Sequence, residues 1–133
     1  MENRHVVSFI LYDPGQDAIV PILRVPDDHV YTVEAAYATV DRTTAAATAY
    51  FTEQLYNADT PGTAVVTAVT DAVGGSLGWV ANTAKTMTVV DGAGDLTAGQ
   101  WLVVKHDETN AVTPGVISIT VEYVDGIGSK AAA

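Results

Sequence analysis

The chain contains no cysteine. It can be neither a disulfide scaffold nor a thiolate-metal or thiol enzyme, and its fold is indifferent to the redox state around it. Basic residues are also scarce: six Lys and Arg stand against sixteen Asp and Glu, giving a net charge of −10 and a pI near 4.3. Capture of nucleic acid rests on Lys and Arg neutralising phosphates, so no nucleic-acid partner is expected. The charge reads instead as a soluble exterior that resists self-association. No apolar run approaches the roughly 20 residues that span a bilayer, so no membrane partner is expected either. The start, Met1-Glu2-Asn3-Arg4-His5, lacks the basic region and long apolar core of a signal peptide, and the expectation is a soluble, unsecreted protein. Histidines are few and scattered, at His5, His29 and His106. They lack the close spacing of a zinc or non-haem iron site and read as ordinary polar residues, so neither metal nor cofactor is expected.

What is present is strand-forming sequence. The 133 residues suit one domain with a core of ordinary size, and the richness in Val, Thr and Ala suits pleated surfaces. Residues 85–124 are the organising stretch, read as three successive strands of a meander. In the last, Ile117, Ile119, Val121 and Tyr123 share one face and Ser118, Thr120 and Glu122 the other, the two-residue period of a half-buried strand. In residues 100–106 both Trp101 and Val103 on one side and Leu102 and Val104 on the other are apolar, as expected of a central strand or of one covered by a neighbouring subunit. Met87 and Val89 mark the third, and Asp91-Gly92-Ala93-Gly94-Asp95 is the turn after it.

Upstream, residues 5–12 form an apolar run ended by Asp13-Pro14-Gly15, a strong turn signal. Residues 18–25 form a second run, which Pro21 demotes to an edge strand or irregular extended segment. From His29 to Val40 the alternation predicts a long strand with Tyr31, Val33, Ala35 and Tyr37 on one face. Residues 48–57 predict another, with Ala49, Phe51 and Leu55 opposite Tyr50, Thr52 and Tyr56, joined to it by a hairpin at Asp41-Arg42-Thr43-Thr44. Helical spacing from Val33 to Leu55 competes with this reading, but the density of β-branched and aromatic residues favours strands. Residues 63–73 remain open between strand and short helix.

The chain thus divides into residues 1–28, an N-terminal extended segment that is either an arm or the first strands of the domain, a β-strand domain over 29–124, and a small-residue, flexible tail over 125–133. The fold class is all-β.

Catalytic patterns are sought and not found. Asp91 and Asp95 lack the further oxygen ligands of a calcium loop, so a turn is the better account. Gly92-Ala93-Gly94 precedes no helix signal and is no phosphate cradle. Asp27-Asp28-His29 could set carboxylates beside an imidazole, but no Ser or Thr nearby sits in a nucleophile context. No catalytic residue is assigned, and the chain is not read as an enzyme. The tyrosines (Tyr12, Tyr31, Tyr37, Tyr50, Tyr56, Tyr123) and both tryptophans read mostly as core or subunit contacts.

Gly74-Gly75, Gly78-Trp79, the short strand Thr86-Met87-Thr88-Val89, the run Leu96 to Val104 and the final Val116 to Tyr123 resemble small virion proteins of tailed bacteriophages, the capsid decoration (cement) and head-fibre-type proteins. The resemblance covers about residues 29–124. It implies an antiparallel, jelly-roll-like β-sandwich on the outside of the capsid, made in the host cytoplasm, bridging major capsid protein subunits as a homo-oligomer, a trimer or else a dimer. For the contact surface, the apolar N-terminal stretch can add a strand to a partner, giving Val6, Val7, Phe9, Ile10, Leu11, Tyr12, Ile19 and Ile22; Trp79 and Trp101 join them as subunit contacts. The competing function is a carbohydrate- or receptor-binding module of a phage tail or fibre. It predicts a row of exposed aromatic rings on one sheet face.

Overall fold

The computed structural model describes residues 4–12, 16–41, 50–58, 63–67, 69–70, 79–109 and 115–126. These form ten strands: β1 (Arg4–Tyr12), β2 (Ala18–Arg24), β3 (Val30–Val40), β4 (Tyr50–Asn57), β5 (Thr63–Ala64), β6 (Val69–Thr70), β7 (Lys85–Met87), β8 (Asp95–Thr97), β9 (Trp101–Thr109) and β10 (Val116–Asp125). Two antiparallel sheets pack face to face as a β-sandwich. One runs β1-β10-β3-β7 with β8 also on β3; the other runs β2-β9-β4-β5 with β6 also on β4.

β1 to β4 alternate between the sheets and β9 and β10 again lie in opposite ones, so the chain wraps around the core as a jelly roll does. This overturns two local expectations. β3 and β4 lie in opposite sheets and do not form a hairpin, and β9 and β10 also part company, so the C-terminal third is no meander. The reason is that each strand's best partner is distant in sequence: β10 sits between β1 and β3, and β9 between β2 and β4.

The two-residue period holds where it was read most clearly. Ile117, Ile119, Val121 and Tyr123 are buried on the inner face of β10, opposite Leu102 and Val104 of β9 and Phe51 and Leu55 of β4 in the facing sheet. β9 is central and β2 is an edge strand. Pro21 sits at that edge beside a register shift between Pro21 and Leu23, as a residue without an N–H requires.

β3 departs from simple alternation. Tyr123 pairs with Val33 and Glu122 with Ala35, so Glu34 is an extra residue, a β-bulge. Tyr31 and Val33 are buried before the bulge, and Ala36, Ala38 and Val40 after it, which turns Ala35 and Tyr37 to the outer face against the expected pattern.

The two sides of the sandwich differ. On one, residues 65–67 meet residues 88–90 through a Val66–Val89 bridge and the bonds Thr67 N–H to Thr88 O and Val90 N–H to Val65 O, both 2.8 Å, which tie the sheets together. On the other, β1 and β2 are the terminal strands of opposite sheets and do not pair with each other among the described residues. That side is open.

The Asp91–Asp95 stretch is a turn, as read: Ala93 N–H bonds Val90 O at 2.9 Å and Gly92 takes a positive φ of 78°. Asp95 there accepts a bond from Thr32 Oγ1 at 2.8 Å. The hairpin residues 42–44, most of the 63–73 helix-or-strand region beyond its two short strands, Gly74-Gly75, Gly78 and residues 127–133 of the expected tail lie outside the described residues. Asp125 belongs to β10 rather than to a tail, and Gly126 N–H bonds Val30 O at 2.6 Å.

Candidate functional site

The N-terminal segment is part of the sandwich, one strand in each sheet. β1 pairs with β10 over its whole length, from Arg4–Val124 to Tyr12–Val116, which puts odd-numbered residues inward and even-numbered residues outward. Val7 and Phe9 are half-buried against the core and Leu11 is buried, whereas Val6, Ile10 and Tyr12 stand out at 62%, 45% and 74% exposure. On β2, Ile19 is 67% exposed and Ile22 half-buried. The contact residues expected from sequence therefore divide by strand phase: Val6, Ile10 and Tyr12 stand on the outer face of one sheet and Ile19 on the outer face of the other.

The tryptophans separate in the same way. Trp101 is exposed on the outer face of β9, beside Arg24 of β2. Trp79 is fully buried, stacked on Phe51 with centroids 5.4 Å apart and planes at 8°, with Lys85 Nζ 5.2 Å above its ring. A side chain with no exposed surface cannot meet a partner, so Trp79, like Leu11, belongs to the core and not to the contact surface.

The exposed aromatic rings among the described residues are Tyr12 and Trp101, with His5 lying against Tyr123. Tyr12 lies where β1 meets the start of β10 and Trp101 at the far end of β9, on different sheets. They form no row.

A second constellation was not foreseen. Glu53 is in phase with Phe51 and Leu55, and His106 with Leu102 and Val104, so strand alternation carries both polar side chains into the core, where neither is exposed. They are direct cross-strand partners, bonded through His106 Nδ1 and Glu53 Oε1. His106 Nε2 lies 2.6 Å from Glu108 Oε2, and Asp17 Oδ1 accepts the Glu108 backbone N–H at 2.7 Å. Glu53 Oε2 and Trp79 Nε1 are buried without a hydrogen-bond partner among the described residues.

Burial raises the Glu53 carboxyl from 4.5 to about 7, against the lowering effect of His106. For His106, burial alone would disfavour the imidazolium, but hydrogen bonds and charge from Glu53 and Glu108 outweigh it and the net shift is upward. The phase of Glu53 was legible in the strand pattern; its partner was not. With both ring nitrogens of His106 taken by carboxylates, the cluster acts as a polar staple between β4 and β9.

His29 Nδ1 meets Asp125 Oδ1 at 2.7 Å, while Arg24 reaches Asp27 at 3.4 Å. His5, Tyr123, Tyr31 and His29 form a chain of ring contacts at this end, Tyr31 and Tyr123 lying 4.5 Å apart. Burial, Tyr123 and Asp125 raise the Tyr31 pKa.

Among the described residues no group of His, Asp or Glu has the geometry to hold a metal ion, and no helix is long and apolar enough to cross a membrane. No protein-family model and no curated protein matches the chain. Among solved structures, a chain from Bacillus endospore appendages, a family of disulfide-linked pili, is similar over 93% of this chain and 87% of its own, at 15% identity and a TM-score of 0.42. That likeness is too loose to carry an argument about fold or function.

Proposed function

We propose that the chain is a structural virion protein that sits on the outside of a tailed-phage capsid and stabilises the shell by bridging major capsid subunits. The observation that carries the reading is the outer face of β1, an edge strand with no described strand beyond it, where Val6, Ile10 and Tyr12 expose apolar surface in a chain with a net charge of −10. Solvent-facing apolar clusters of this kind mark contact surfaces, and an unpaired edge offers main-chain hydrogen bonds to a neighbouring protein. The jelly-roll wrapping agrees by fold-level analogy, since the architecture recurs in viral capsid proteins as well as lectins. A decoration protein needs a rigid body and a contact surface, and the cross-strand packing of β3, β4, β9 and β10 supplies the first.

The test is co-sedimentation of the purified protein with shells assembled from the major capsid protein, followed by thermal disruption of the decorated shells. Saturable binding at a fixed ratio, with disruption at a higher temperature, is the expected outcome. Absence of binding across shells of several tailed phages overturns the reading, and binding to a glycan array instead moves the protein to the receptor-binding class.

A further inference from the structure

Among the described residues β1 carries little of what ordinarily keeps edge strands apart, its one formal charge being Arg4 at its start. Its nine residues pair with β10 without a register shift, and on its other side no described strand follows. It contains no proline, no lysine and no acidic residue. β2, the other strand on the open side, has both a proline and a bulge. Natural sheets blunt their edges with charge, proline, bulges or short length because an unprotected edge is a template for pairing. An unprotected edge nine residues long in a chain that protects its other edge is a feature with a use.

The pattern of β1 is also self-complementary. Reversed about Ser8, it places Val6 against Ile10, Ser8 against Ser8 and Arg4 against Tyr12 on the outer face, and Val7 against Phe9 on the inner face. Charge agrees with this. A chain carrying sixteen acidic residues repels its own copies over most of its surface, but the exposed part of β1 is apolar with a cationic start, so two copies can approach there. Arg4, which also lies 3.2 Å from Glu122 of the adjacent strand, would add a cation to the exposed ring of Tyr12.

We infer that β1 pairs antiparallel with β1 of a second copy across a two-fold axis at Ser8, joining the two β1-containing sheets into one continuous sheet. This register is the one that overlaps all nine residues, and it forms roughly eight to ten main-chain hydrogen bonds by the antiparallel pattern. The contact is isologous and closes on itself, giving a dimer rather than a filament. The half-buried Val7 and Phe9 become interior in it. β2, with Pro21 and its bulge, stays free, leaving Ile19 and Trp101 for a different partner. The inference stands apart from the capsid reading, because it is tested on the purified protein alone.

The chain has no cysteine of its own, which makes the test direct. Light scattering after gel filtration of the full chain is expected to give twice the protomer mass of 13.9 kDa. Ser8→Cys is expected to cross-link to a dimer under mild oxidation, because directly opposed strand residues bring their Cβ atoms within disulfide reach. Thr120→Cys, one strand further from the axis on each copy, is not.

Ile10→Lys alone is expected to halve the measured mass, and adding Val6→Glu to restore it, since only the Ser8-centred register sets position 6 opposite position 10. Both positions face outward, so the fold survives, and an unchanged circular dichroism spectrum verifies it. A monomeric wild-type chain overturns the inference, as does an oligomer in which Ser8→Cys fails to cross-link and Ile10→Lys leaves the mass unchanged.

Discussion

His106 and Glu53 face each other as cross-strand partners inside the sandwich, imidazole Nδ1 against carboxylate Oε1, with no exposed surface on either side chain. Glu108 completes the set from the other ring nitrogen. Two carboxylates and one imidazole within a hydrophobic core are tolerable only while they share protons and hydrogen bonds, because an isolated buried charge is strongly unfavourable. The cluster therefore makes stability depend on pH in a definite direction.

The sign follows from the two shifts. Glu53, raised by burial from 4.5 to about 7, keeps a proton in the folded state that the unfolded chain releases above 4.5. His106, for which the carboxylates outweigh burial, keeps its proton above the 6.5 at which the unfolded chain loses it. The folded state thus binds more protons, and stability falls as pH rises. The loss from Glu53 spans about 4.5 to 7, and that from His106 follows above 6.5 as pH passes its raised value. The thermal midpoint is expected to be roughly 5 °C or more higher at pH 5 than at pH 8. Glu53→Gln should give a shallower profile, measured by calorimetry. General repulsion in an acidic chain acts on both proteins alike, so superimposable profiles would remove Glu53 from the account.

The tryptophans should respond separately to a quencher. Trp79, buried against Phe51, is expected to emit at short wavelength and resist acrylamide, whereas Trp101, 42% exposed, is expected to be quenched readily. Trp101→Phe should leave a single, protected emitter. Trp79→Ala empties the space beside Phe51 and should cost about 3–5 kcal/mol in denaturant unfolding. Equal quenching of both rings would contradict the placement of Trp79.

The bulge in β3 makes an unusual prediction about deletion. Removing Glu34 leaves Val33 inward, Ala35 outward and Ala36 inward, a regular alternation against β10, so the shortened chain is expected to fold with a stability loss of about 1–2 kcal/mol, in the range of ordinary substitutions. Removing Tyr37, three residues on and inside the regular part, reverses the facing of one half of the strand and is expected to abolish folding. Circular dichroism and chemical denaturation of the two deletions decide it; equal damage would contradict the bulge.

Much of the local structure was legible because it has a local cause. The alternation of Ile117, Ile119, Val121 and Tyr123 needs only the pleat of a strand, the edge position of β2 needs only the missing N–H of Pro21, and the turn at Asp91–Asp95 needs only glycine and short polar side chains. The candidate contact surface was legible in part: Val6, Ile10, Tyr12 and Ile19 were named for being apolar and prove exposed, but Leu11 and Trp79 were named on the same grounds and lie in the core. Composition does not distinguish the two faces of a strand until its register against a neighbour is known. The polar cluster escaped because Glu53 and His106 are 53 residues apart, and a carboxylate at an inward position has meaning only beside its partner.

Sequence by itself determined that this protein is built of strands, that it has no thiol or disulfide chemistry and that it is acidic, since these depend on residue type and two-residue spacing alone. Tertiary structure decided that β9 and β10 go to opposite sheets, that Glu34 shifts the phase of β3, that an imidazole and two carboxylates meet in the core and that β1 has no described strand along its outer edge. Each of those depends on which distant strands pair, and pairing is settled by the joint burial of both sheets rather than by any one segment.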